Sequence, residues 1–163
     1  MAGAEESLSP RAKRALALFG EGRCCAQAVL MAYADVAGVT EEQAALLAAG
    51  LGGGLGRLRL TCGAFTAAAM VCGALVDAKH GGDNEQRVAV YTRVQALHDD
   101  MVQRVGTVNC GELLGRGREV PVPEKRTPEY YASRPCARVV LAACRAIEAV
   151  AHAGKTTQEE ETT

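Results

Sequence analysis

The sequence predicts an all-α fold: a single compact bundle of about five to six helices, interrupted by a glycine-rich loop and a proline-rich crossing. Apolar residues recur at spacings of three and four through most of the chain, the period of a helix with one buried face. Helix-start signals precede these segments, and no alternating strand pattern extends beyond a few residues. With 163 residues the chain suits one domain that buries on the order of 70% of its unfolded surface, so it needs no disulfide to fold.

Residues 1–8 read as a disordered leader, 9–153 as one helical four-cysteine domain, and 154–163 as a polar, disordered tail. Ser9-Pro10 supplies an N-cap and a first-turn proline, opening a helix through about Phe19 that Gly20-Glu21-Gly22 stops. A second helix runs from Arg23 to near Gly38, with Cys25, Val29, Ala32 and Val36 on one face. Thr40 to Gln43 fits a capping box and opens a short Ala/Leu helix to about Ala49. Gly50-Leu51-Gly52-Gly53-Gly54-Leu55-Gly56 follows. It fits neither the dinucleotide motif nor the phosphate loop. It reads instead as a tight linker, or as backbone amides brought close to an anionic group such as a sulfur cluster.

Thr61 as N-cap places Cys62 in the first turn of a buried helix whose stripe is Cys62, Phe65, Ala69, Cys72 and Val76. The positive end of a helix dipole favours the thiolate there. Gly63, Ala64, Ala67, Ala68 and Gly73 keep this helix slender, so neighbouring backbones can come close. Asp83 caps the longest expected helix, which runs to about Val105 with Val90, Val94, Leu97, Met101 and Val105 as its core stripe. Asn109 caps a brief turn beginning at Cys110. Gly115 to Pro135 carries Pro121, Pro123, Pro128 and Pro135 and predicts an extended surface crossing. Ser133-Arg134-Pro135-Cys136 opens the last helix, with Cys136, Val140, Cys144, Ile147 and Ala151 on one side.

Composition excludes several function classes. Eighteen basic against 19 acidic residues, with no basic block, leave nothing to attract nucleic acid or an anionic membrane. Met1 to Ser7 lacks the apolar core of a signal peptide, and no run of roughly eighteen apolar residues could span a bilayer. A cytoplasmic, reducing setting is the expectation. Seven cysteines is an odd number, which argues against a complete disulfide framework and turns attention to metal ligation or thiol chemistry.

Cys25, Cys62, Cys110 and Cys136 each fall at a predicted helix start, and three of them head an apolar stripe. Four thiols meeting in one core, with positive helix ends around them, would stabilise a thiolate-bound metal or an anionic iron-sulfur cluster. The same pattern also describes ordinary buried cysteines, and no two of the four are spaced Cys-x-x-Cys. Cys72 and Cys144 read as core packing, while Cys24 is a spare ligand, a resolving thiol or a surface residue. His98 is read as a helix-flank residue, and His80 and His152 carry no assignment. Asp83, Glu85, Asp99 and Asp100 read as solvated faces.

Taken together, the segments Gly22-x-Cys24-Cys25-Ala26-Gln27-Ala28-Val29-Leu30, Ala49 to Gly54, Thr61-Cys62-Gly63-Ala64 and Asn109-Cys110-Gly111-Glu112-Leu113-Leu114-Gly115, with the late Cys136, resemble the redox-active family named for its C-GCAxxG-C-C cysteine pattern. The resemblance runs from about Phe19 to Ala149 and maps the family's four recurring cysteines onto Cys25, Cys62, Cys110 and Cys136. It implies a small helical redox protein, and a similar domain in split-Soret cytochromes is associated with an iron-sulfur cluster. Two positions depart from the pattern: Ala67 stands where the family has glycine, and Cys24 where an asparagine is common. The second departure leaves Cys24 and Cys25 competing for one ligand position. There is no Cys-x-x-Cys-His for covalent haem.

The expected function is therefore an iron-sulfur protein, most simply two-iron, that passes single electrons to a redox partner protein as a carrier or sensor rather than as an enzyme. A dithiol protein using Cys24 or Cys25, and a thiolate site for zinc or copper(I), are the alternatives. Two Phe and no Trp make a sparse core, which leaves a homodimer open as the way to complete it.

Overall fold

A computed structural model describes residues 7–76 and 84–160, with side chains described through Ala153. The expected Asp83 cap, His80, most of the leader and the last residues of the tail lie outside the described residues. Among the described residues eight helices form: α1 Pro10–Gly20, α2 Cys25–Ala32, α3 Glu41–Ala48, α4 Gly63–Leu75, α5 Asn84–Val105, α6 Cys110–Leu114, α7 Pro128–Ala132 and α8 Cys136–Glu160. The all-α expectation holds, and the expected number of helices was too low. Two of the additional helices are single short turns, α6 and α7. Thr127 caps α7 by accepting from Tyr130 N at 3.3 Å, and Pro128 sits in its first turn, so the proline-rich crossing is not extended throughout.

The bundle is arranged around α2, which packs against α1, α3, α4 and α8, while α5 lies across α4 and α8. Small side chains make this possible: Ala26, Ala28, Ala44, Ala48, Ala64, Ala67 and Ala68 are fully buried, and Ala67 occupies its close helix contact without exposure. Leu18, Leu30, Leu97, Met101 and Ile147 supply the bulk. On α5 only Leu97 and Met101 reach full burial, so the expected stripe is confined to the C-terminal half of the helix. Cys72 and Cys144 are buried in this core, as expected, and burial pushes their thiols up to about 11 and about 12.

The start signals of α1 and α3 act as read. Ser9 Oγ accepts from Ala12 N at 3.1 Å. Thr40 Oγ1 accepts from Gln43 N at 3.1 Å, and Gln43 Oε1 accepts from Thr40 N at 2.9 Å. Thr40→Ala is expected to cost about 1 kcal/mol, read as a fall of roughly 3 °C in Tm. Two boundaries differ from the sequence reading. Helix α2 ends at Ala32 and gives way to turns through Gly38, which adopts φ +71°. The backbone of α8 stays helical to Glu160, past Gly154.

Thr61 is not the cap of α4. Cys62 itself is the N-cap residue, with φ −59° and ψ 129°, and Thr61 forms an isolated antiparallel bridge with Asn109. The reason is tertiary: Cys62 N donates to Val108 O at 2.8 Å, and Cys110 N donates to Leu60 O at 2.7 Å. These bonds clamp the segments before α4 and α6 together and outweigh the local capping preference of threonine.

Between α3 and Thr61 the chain makes a 3-10 turn, Ala49–Leu51, and then a tight coil. Gly53, Gly54, Leu55, Gly56, Arg57 and Arg59 all adopt left-handed φ between 56° and 67°. The coil is tied across itself by Gly56 N to Gly50 O, Arg59 N to Gly53 O and Leu60 N to Gly54 O, at 2.9, 3.2 and 3.0 Å. Such a path is natural for glycine and strained for the other three residues.

Candidate functional site

The four cysteines sit where helices begin. Cys25, Cys110 and Cys136 are the first residues of α2, α6 and α8, and Cys62 caps α4. Asn109 caps α6 as expected, accepting from Glu112 N at 3.0 Å. All four cysteines, together with Cys24, line one cavity of about 50 Å³. Apolar walls come from Phe19, Leu113, Leu114 and Val139.

The glycine coil allows this convergence. A Cβ on Gly54 would stand 2.5 Å from Cys110 Cβ, one on Gly52 2.8 Å from Cys24 Cβ, and one on Gly63 3.0 Å from Cys25 Sγ. Glycine at these three positions is a requirement for the thiols to approach.

Polar groups are directed at the sulfurs. The Cys62 thiol and the backbone N–H groups of Gly53, Ala26 and Ala64 point at Cys25 Sγ and hold its pKa well below that of an ordinary thiol. Cys62 moves up, because it keeps its proton as the donor to Cys25 and is itself buried. Burial raises Cys24, Cys110 and Cys136, the last to about 11, with the Cys25 charge adding to it. Only Cys25 ionises readily on its own, so four thiolates here require a cation among them.

The sequence reading missed the arginines of this site. Arg59 is 5% exposed, and its Nη1 donates to Cys110 Sγ at 3.8 Å while Nε donates to Glu119 Oε2 at 2.8 Å. Arg134, also buried, donates from Nη2 to Glu124 and stacks over Tyr130 at 4.3 Å. Arg126 covers the same ring at 4.6 Å. A signal was present in the sequence, since Arg59 and Arg134 stand three and two residues before a site cysteine.

The two described histidines, His98 and His152, stay outside this site. His98 is half exposed, with Nδ1 3.0 Å from Asp99 Oδ1 and its ring edge on Phe65, and His152 is exposed. Among the described residues, no three Cys, His, Asp or Glu side chains already stand in a metal-holding arrangement. No helix among them is long and apolar enough to cross a membrane.

The segment from Arg116 to Thr127, whose Arg126 lines the cysteine cavity, is a strap held by charge. Glu119 pairs with Arg57, Arg59 and Arg116, and Glu124 with Arg116 and Arg134. The hydrogen bond from Arg59 holds the Glu119 carboxyl below its usual range. A carboxylate lowered in this way stabilises the fold above its unfolded pKa and loses that contribution as pH falls through the native value. Glu119→Gln is therefore expected to speed proteolysis within the strap several-fold at pH 7. The difference from the parent should shrink as pH falls below the ordinary glutamate range and vanish once Glu119 is protonated in the native state, and equal cleavage at pH 7 would remove the strap's proposed anchor.

A family model described as "Putative redox-active protein (C_GCAxxG_C_C)" matches residues 23–150. No curated protein and no solved structure matches the chain.

Proposed function

Because the chain belongs to the C_GCAxxG_C_C family of redox-active proteins, we propose that the thiol cavity is its redox centre. In this reading Cys25, Cys62, Cys110 and Cys136 hold an iron-sulfur cluster, most simply two-iron, and the protein passes single electrons. The observation that carries the proposal is the convergence of four cysteines from four separate helix starts on one small cavity. A dithiol protein needs only two.

The donor chemistry fits. Four soft thiolates are the usual ligands of such clusters, and a cluster supplies one-electron oxidation and reduction at nearly constant geometry. The chain's own residues do the rest. N–H groups of Gly53, Ala26 and Ala64 neutralise charge at Cys25, those of Ala64 and Phe65 do so at Cys62, and Arg59 does so at Cys110. Hydrogen bonds to ligand sulfur favour the more negative, reduced state and so raise the potential. Phe19, Leu113, Leu114 and Val139 exclude water. In this reading Cys25 is the ligand and Cys24 a neighbour, because the amide donors converge on Cys25.

The test is the visible spectrum of protein purified without oxygen, with iron, acid-labile sulfide, zinc and copper counted on the same sample. Broad visible absorption with matched iron and sulfide is expected. Zinc or copper without sulfide would replace the cluster with a simple thiolate metal site.

One observation favours a second reading. The Cys25 and Cys62 thiols face each other, with Cys25 the readier thiolate. Cys25 can attack a disulfide R–S–S–R and release one R–S⁻, after which Cys62 attacks Cys25 Sγ and releases the second. The net change is two cysteine thiols oxidised to one disulfide and R–S–S–R reduced to two R–SH. A colourless, metal-free protein that gains a Cys25–Cys62 disulfide under mild oxidant would select this reading.

A further inference from the structure

A second cavity, about 260 Å³, adjoins the thiol cavity and shares Cys24, Gly53, Arg59, Arg126, Tyr130 and Arg134 with it. The glycine coil adds Arg57 to its lining, and the strap adds Pro121, Pro123 and Glu124. Four guanidinium groups thus face one carboxylate in this lining.

The four cations are not equally engaged. Arg59 is taken by Glu119 and Cys110 Sγ, and Arg57 by Glu119 and by Val120 O at 2.8 Å. Arg134 gives Nη2 to Glu124, but its Nε is buried and has no hydrogen-bond partner. Arg126 makes no ion pair among the described residues and lies over the rings of Tyr130 and Phe19, at 4.6 and 5.7 Å. Tyr130 therefore holds two guanidinium groups, Arg126 at 4.6 Å and Arg134 at 4.3 Å, on one ring. A buried guanidinium N–H without an acceptor is costly, and an oxyanion entering this cavity would supply one.

We propose that this outer cavity binds a small molecule carrying an oxyanion group, a carboxylate or a phosphate, which Arg126 and Arg134 hold against Cys24. Arginine suits either group, since its planar fork meets two oxygens at once. The cavity has room for several heavy atoms beyond the anionic head, and Cys24 is the thiol common to both cavities. A redox protein with such a site has a small anionic substrate or effector bound one residue from Cys25. The inference goes beyond the thiol-centre reading and does not depend on what the four cysteines hold.

The test is calorimetric titration of the full-length protein, as isolated and at low ionic strength, with malonate and separately with phosphate. Saturable binding of at least one is expected, and the tighter of the two identifies the anionic group. Arg126→Gln, an exposed position, should weaken that binding at least tenfold. Arg138→Gln, which removes the same charge from an exposed position outside both cavities, should leave it unchanged, which separates a built site from general charge attraction. Protection of Cys24 from alkylation by the bound anion is a second expected readout. Failure of both anions to bind the parent, or equal affinity in Arg126→Gln, would overturn the proposal.

Discussion

Cys62→Ser is expected to remove nearly all iron and acid-labile sulfide from anaerobically purified protein while leaving far-UV circular dichroism unchanged. The two effects separate because of where Cys62 sits. It is the N-cap residue of α4, and its sulfur makes no side-chain capping bond, so the helix start does not depend on the thiol. Serine is among the best N-cap residues, so its hydroxyl can accept from a first-turn N–H and the helix start survives. As a ligand, however, a neutral hydroxyl is a poor substitute for a soft thiolate. Cys72→Ala provides the contrast, because Cys72 packs in the core away from the cavity and should cost stability but no metal. Full iron and sulfide in Cys62→Ser would end the four-cysteine assignment.

Gly54→Ala is expected to destabilise the fold by about 3 kcal/mol, seen as a fall of roughly 10 °C in Tm. Two penalties combine at this position. Its φ of +66° is unfavourable for any residue with a Cβ, and that Cβ would meet Leu60 N at 2.8 Å as well as Cys110. Leu60 N belongs to the backbone, pinned by its own bond to Gly54 O at 3.0 Å, so it cannot rotate away as a side chain would. Gly56→Ala isolates the conformational part: φ is +56°, but nothing stands within 4 Å, so about 1 kcal/mol is expected. If urea denaturation gives the two variants equal losses, the close approach of coil and cysteine is wrong.

Local signals in the sequence were enough to place the cysteines. Ser9, Thr40 and Asn109 are read correctly because capping involves neighbours within three residues, and the apolar stripes behind Cys25 and Cys136 point inward as helical spacing requires. What escaped the sequence depends on distant partners. Arg59 reads as a linker residue until Glu119, 60 positions later, is known to pair with it. Thr61 loses its capping role to hydrogen bonds between residues 60–62 and 108–110, which no window of local sequence contains. Helix α7 is a different kind of miss. Thr127-Pro128 is a readable start signal, but surrounding prolines favoured an extended path.

The positions of the cysteines also constrain the order of assembly. Residues 24, 25, 62 and 110 can be brought together by α2, the coil, α4 and the bridge, yet the cavity still lacks Cys136, Pro135 and Val139 until α8 docks against α1 and α2. The enclosure of the cavity is therefore completed only by that docking. Without Pro135, Cys136 and Val139 the cavity would lose one wall and one of its thiols. The last helix thus serves the bundle twice, as a packing partner of α1 and α2 and as the wall that closes the thiol cavity.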